Sequence, residues 1–300
     1  MNKYVKYTII AVIILIIIVV LVILNINKKN KDNVNDVKTK IVTSFYPMYI
    51  IAENLLEDTN NTELINMADV NVGCLHDYTL TTEDMKKVEN ADIFIINGLG
   101  MENFLDKVIN SNKDMYIIDS STNIQNLIKD ENEINPHIWT SIDNYILQVK
   151  NISKELQNKD TLNAQTYKEN EKKYIEKLEN LRGEYLEGLK ELEGQKAIIL
   201  NEAFEYMAQE LKIDTTTIKT DHEESTLSAD TLKNIIDKVK EENIKIIIID
   251  KNDNKSNAET IANETGAKIY ELNSGLTGSL DEDAYIKDIE DNLCRFRDRP

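Results

Sequence analysis

The chain has 300 residues, a formal net charge of −18 and a sequence pI near 4.7. Such an acid excess excludes a nucleic-acid face, which needs clustered Lys and Arg, whereas it attracts small cations without dictating a fold. Two cysteines, Cys74 and Cys294, are too few for a disulfide framework and lack C-x-x-C metal spacing.

Residues 8–24 read TIIAVIILIIIVVLVIL, an uncharged run at the lower limit for spanning a bilayer and longer than a usual signal-peptide core. No A-x-A site follows it, and no cysteine stands where a lipoprotein would be acylated. The run is therefore expected to be an uncleaved membrane anchor with the bulk of the protein outside the cell, a cleaved signal being the alternative. Residues 25–38 are polar and unpatterned and read as a tether, so that 1–38 form one anchoring segment.

Beyond it, short β-type runs alternate with helix-length amphipathic segments. Strands are predicted at 40–45, 62–66, 92–96 and 115–119, then at 196–200, 214–218, 244–250 and 268–272. The pattern predicts an α/β protein of two lobes, 39–158 and 193–300, each a mainly parallel sheet flanked by helices. Between them, Tyr167, Tyr174, Leu178, Leu181, Tyr185, Leu189 and Leu192 recur at helical spacing, predicting one long connecting helix over 159–192 packed along both lobes. Ligands in open α/β sheets gather at the carboxyl ends of strands, and two such edges facing each other form a cleft.

All three histidines fall on that kind of edge. His76 lies in GCLHDYTLTTEDM, after the 62–66 strand and before a helix opened by Thr81 and Asp84 in a capping-box pattern. His137 lies in NPHIW, where Pro136 stiffens the backbone and Trp139, the only tryptophan, is expected to plant the segment in the core. His222 lies in the acidic loop TDHEESTLSA after the 214–218 strand. Taken singly, His76 and His222 also read as solvated loop residues and His137 as ordinary packing. Together they suggest a zinc site, since imidazole is the commonest protein ligand for that ion.

At these same stretches the chain resembles the zinc/manganese solute-binding proteins of bacterial metal-ion ABC importers. The resemblance is carried by IVTSFYPMYIIAENL (41–55), by 73–109 around His76, by NPHIWTS (135–141), by NEAFEYMAQELKI (201–213) and by ETGAKIYELNSGLTG (264–278). It spans about residues 39–293. It implies two α/β lobes joined by a rigid long helix, a metal cleft between them, and a receptor rather than an enzyme. The receptor would deliver a divalent metal ion, Zn2+ with Mn2+ as the alternative, to the membrane subunits of an ABC permease.

Carried over residue by residue, His76 and His137 match the first two metal ligands of the family. Asn201 stands where the family has a third histidine or, in manganese-type members, a glutamate, and Asn273 stands where it has an aspartate. Two neutral amides suit zinc less well than imidazole and carboxylate, so a substantial loss of affinity is expected unless another group compensates. His222 can supply an imidazole and Glu202 a carboxylate, although neighbouring side chains of an extended segment point oppositely. The ring nitrogens of His76 and His137 are expected within ~4 Å of each other, as shared coordination requires, with Asn201 and Asn273 lining the cleft from the second lobe. A second reading is a degenerate paralogue that binds metal weakly and serves a regulatory or accessory role. A metallo-hydrolase built on the three histidines lacks a zincin helix, a serine elbow or a phosphate loop to support it.

Overall fold

The computed structural model describes residues 38–72, 78–105, 114–130, 133–218 and 227–297. The anchor expected at 8–24 lies outside the described residues, and among those described no helix is long and apolar enough to cross a membrane. The chain divides into two compact units, Met1–Thr39 and Lys40–Pro300, and the architecture below is that of the second.

The first sheet contains β1 (Thr39–Thr43), β2 (Thr62–Asn66), β3 (Ile93–Ile96) and β4 (Tyr116–Asp119) in the order β2-β1-β3-β4. β1 runs parallel to β3, with Ile41 opposite Ile93, and β3 runs parallel to β4. A short antiparallel ladder of β5 (Lys129–Asp130) and β6 (Glu133–Ile134), not predicted from the sequence, leads into NPHIW. The second sheet contains β7 (Lys196–Ile199), β8 (Asp214–Thr217), β9 (Ile246–Asp250) and β10 (Lys268–Leu272) in the order β10-β9-β7-β8, with every pair parallel. The central strands IFII and IIIID are almost wholly buried, because helices cover both faces of a parallel sheet and leave no side for polar alternation. All eight predicted strands are present, within two residues at either end.

Eight α-helices occur among the described residues: α1 (Tyr46–Leu56), α2 (Thr82–Glu89), α3 (Ile142–Lys159), α4 (Ala164–Gly188), α5 (Glu205–Glu210), α6 (Ala229–Glu241), α7 (Ser256–Thr265) and α8 (Ala284–Arg297). The capping box predicted at the start of α2 forms: the Asp84 N–H donates to Thr81 Oγ1 and the Thr81 N–H donates to the Asp84 carboxylate.

The connecting helix differs in its bounds from the prediction. Instead of one helix over 159–192, α3 ends at Lys159, α4 spans Ala164–Gly188, and a 3-10 turn, Lys190–Leu192, follows. The break is held by tertiary contacts: Asn163 Nδ2 donates to Asp160 and to the Asn60 carbonyl, while its Oδ1 accepts the Asn60 N–H. The apolar stripe itself is as predicted, with Tyr167, Tyr174, Leu178, Leu181, Tyr185, Leu189 and Leu192 all buried.

α4 packs on α1 of the first lobe and on α8 of the second, so it lies along both. One apolar core runs from Ile41 and Phe94 through the α4 stripe to Ile199 and Leu272. Polar ties reinforce it. Tyr46 Oη donates to the Ser279 carbonyl, Asn54 Nδ2 donates to the Glu282 carbonyl, and the Tyr145 and Tyr285 rings stack with centroids 3.6 Å apart. Gly278 permits the first of these, because a Cβ there would stand 2.2 Å from Tyr46 Oη. Separating the lobes would expose shared core, which costs free energy in proportion to the apolar area uncovered.

Candidate metal centre

The segment 135–141 is built to hold one imidazole. Trp139 is fully buried, edge-on to Phe45 with ring centroids 5.1 Å apart, and its Nε1–H donates to the Ser274 carbonyl of the second lobe. Thr140 Oγ1 donates across the same boundary to the Ala203 carbonyl. With its neighbours pinned, His137 is itself only 2% exposed.

The ring is oriented by Asn135. Asn135 Nδ2 donates to the Glu202 carbonyl and to the Glu205 carboxylate, so its Oδ1 is the acceptor end. That oxygen receives both the His137 N–H, at 2.9 Å, and His137 Nδ1, at 2.8 Å. The proton of the neutral ring therefore sits on Nδ1, and Nε2 carries the lone pair that a metal requires. A ligating histidine is commonly locked through its other nitrogen in this way.

His137 borders a cavity of about 430 Å³ whose other walls include Asn71 and Val72 after β2, Asn201 and Glu202 after β7, Asp250 at the end of β9 with Asn252 and Asp253 beyond it, and Ser274, Leu276 and Thr277 after β10. Both sheets present strand-end loops to this space, as expected for a ligand site at the carboxyl edges. Three carboxylates and three asparagine amides face it, a wall suited to a cation.

Of the residues singled out in the sequence, the structure brings His137, Asn201 and Glu202 together on this cavity. Glu202 Oε1 stands 3.9 Å from His137 Nδ1. Asn201 caps the 3-10 turn Glu202–Phe204: its Oδ1 accepts the Ala203 N–H at 3.0 Å, and its Nδ2 donates to Asp253 at 2.8 Å. His76 and His222 lie outside the described residues, and so does the expected spacing between His76 and His137. Among the described residues no group of three or more His, Cys, Asp or Glu is gathered to hold a metal ion.

Asn273 stands beside the cavity rather than on its wall. It is 4% exposed, its Oδ1 accepts the Gly275 N–H, and its Nδ2 donates to Asp288. Asp288 keeps one buried oxygen without a hydrogen-bond partner, and burial pushes its carboxyl up to about 6. The amide at 273 thus donates to a carboxylate that is already short of donors. Asn273→Asp alone is expected to lower stability by about 2 kcal/mol at pH 8, because two carboxylates in contact must share a proton. A shared proton is one whose folded pKa lies above its unfolded value, so the loss should shrink as pH falls toward 5. Asn273→Asp combined with Asp288→Asn should recover most of it. Urea unfolding at the two pH values checks this, and equal stability of the single variant and the parent at pH 8 would refute it.

Asp250 and Asp253 were not picked out from the sequence. An acidic residue closing the apolar strand IIIID, at the carboxyl edge where ligands bind, was the available signal.

The chain is similar to known proteins over most of its length. The family model described as ZnuA, zinc-uptake complex component A periplasmic, matches residues 41–299. The chain is 28% identical over 285 residues to the high-affinity zinc uptake system protein ZnuA of Bacillus subtilis (strain 168), covering 87% of each chain. It is 28% identical over 267 residues to the manganese-binding lipoprotein MntA of Halalkalibacterium halodurans, covering 86% of this chain and 87% of that one. Its fold matches the SBP FpvC from Pseudomonas aeruginosa in complex with Mn2+ with a TM-score of 0.77 at 25% identity, covering 86% of this chain and 97% of the other.

Proposed function

Because the chain belongs to the family of the zinc-uptake complex component A, a family of metal-binding receptors of ABC importers, we propose that it captures a divalent cation outside the cell and hands it to the membrane subunits of an ABC permease. Zinc is the proposed cargo and manganese the alternative. The observation that carries this reading is His137: a buried imidazole on a cavity wall, with Asn135 holding the proton on Nδ1 so that Nε2 can bind a cation.

In this reading His76 and His137 supply two imidazoles. Asn201 and Asn273 hold the third and fourth ligand positions, both amides being engaged in hydrogen bonds, and His222 or Glu202 supplies what those amides lack. The chain carries an anchor and tether at 1–38, a first lobe at 39–158, a connecting segment at 159–192 and a second lobe at 193–300. Residues 8–24 anchor it in the cell membrane, which raises its effective concentration at the permease. Capture is reversible ligation and needs no catalysis.

The test is the metal content of the protein purified without chelators, followed by competition titration with Zn2+ and Mn2+. Zinc should bind far more tightly than millimolar, and binding should weaken as pH falls through the ordinary imidazole range near 6.5, where protons compete for the ligand nitrogens. Zinc bound no tighter than about millimolar would replace this reading with that of a weak binder.

A further inference from the structure

We propose that Glu205, the first residue of α5, is a positioning residue for the metal ligand His137, acting on the ring through the Asn135 amide. The second lobe would thus orient a ligand of the first and lend it negative charge. The proposal rests on the metal-receptor reading above and deepens it.

Asn135 is 6% exposed and engaged at every polar group. Its N–H donates to the Ile128 carbonyl at 3.0 Å, and its carbonyl accepts Tyr206 Oη at 2.7 Å. Its Oδ1 accepts the His137 N–H and Nδ1–H, while its Nδ2 donates to the Glu202 carbonyl at 2.9 Å and to Glu205 Oε2 at 2.8 Å. Two consecutive residues of α5, Glu205 and Tyr206, therefore clasp Asn135 by its side chain and its main chain. Tyr206 Oη also accepts the Ile128 N–H at 3.0 Å, which ties the clasp to the strand-like segment before NPHIW. Turning the amide over would set Nδ2 against the His137 N–H, and Oδ1 against both the Glu202 carbonyl and the Glu205 carboxylate. The amide has one orientation.

These contacts form a chain of carboxylate, amide and imidazole that joins residues 70 positions apart. A ligating histidine commonly meets a carboxylate directly, which fixes its tautomer and raises its basicity. Here an amide stands between them. A carboxylate that accepts from Nδ2 polarises the amide and makes Oδ1 a stronger acceptor, and a stronger acceptor on Nδ1–H makes Nε2 a better donor to a cation. With neutral amides at 201 and 273, this route adds negative charge to the site without using a ligand position.

The experiment compares the full chain with Glu205→Gln, with Glu205→Gln combined with Asn135→Asp, and with Glu259→Gln as a control for lost charge in the same lobe. Glu205→Gln keeps the shape and an acceptor for Asn135 Nδ2 but removes the charge. The double variant returns the anion one step nearer the ring, facing a donor. Zn2+ affinity is read by competition with a chromophoric chelator, and folding by circular dichroism. The third readout is the Nδ1–H proton resonance of His137 in metal-free protein labelled with 15N-histidine, where only three rings contribute and His137→Ala assigns the signal. Glu205→Gln should lose about tenfold in Zn2+ affinity, the low end of what an outer partner of a ligand contributes, and its Nδ1–H should move upfield. The double variant should return to within about threefold of the parent with its Nδ1–H downfield again, and Glu259→Gln should stay within about twofold. If Glu205→Gln matches Glu259→Gln, or loses affinity with Nδ1–H unmoved, the role of Glu205 is overturned and the receptor reading stands. If the parent chain binds neither Zn2+ nor Mn2+, both fall together.

Discussion

Replacing His137 by alanine is expected to lower Zn2+ affinity by at least 100-fold, about 2.7 kcal/mol. The ring is buried, its tautomer is set by Asn135 Oδ1 at 2.8 Å, and its loop is held by ties across both lobes, so the ligand is preorganised. The stability of the metal-free protein should fall much less, by about 1 kcal/mol, since Asn135 Oδ1 still accepts the backbone N–H of residue 137. Competition titration against urea unfolding separates the two effects. An affinity within threefold of the parent would place the cation elsewhere on the cavity wall.

Trp139→Ala should produce the largest loss of stability. The indole is fully buried against Phe45, and its N–H donates to the Ser274 carbonyl. Truncating a buried aromatic to alanine costs about 3–5 kcal/mol through lost burial and the cavity left behind, and Ser274 loses a partner as well. For a chain of this size that corresponds to a fall in melting temperature of roughly 10 °C. Metal binding should weaken too, because Ser274 lines the cavity and His137 packs on Trp139 with ring centroids 5.2 Å apart. Calorimetry of the metal-free protein is the check. A melting temperature unchanged within about 2 °C, the scale of less than 1 kcal/mol, would mean that the first lobe holds the His137 loop without this anchor.

These two outcomes depend on different kinds of information in the chain. The strands, the α2 capping box, the buried stripe of α4 and the burial of Trp139 were legible in the sequence. Each is decided by short-range patterning: alternation or runs of β-branched residues, a hydroxyl three residues before a carboxylate, or apolar residues at helical spacing. The histidine positions were legible for a related reason, since a residue just past a strand belongs to the edge where ligands bind, whatever its partners are.

What only the tertiary structure decided is which polar atoms remain available to a ligand. Asn201 and Asp253 are 52 positions apart, Asn273 and Asp288 are 15 apart, and Trp139 reaches Ser274 across 135. An asparagine side chain carries the same acceptor and donor whether it ligates a cation, caps a turn or orients a carboxylate. The choice among these roles belongs to its neighbours in space. The break at 160–163 has the same origin, because the sequence continues the helical stripe while hydrogen bonds to Asn60 end the helix. Local patterning determined the scaffold and the edge where a cation would sit, and contacts between distant segments determined which side chains there can hold it.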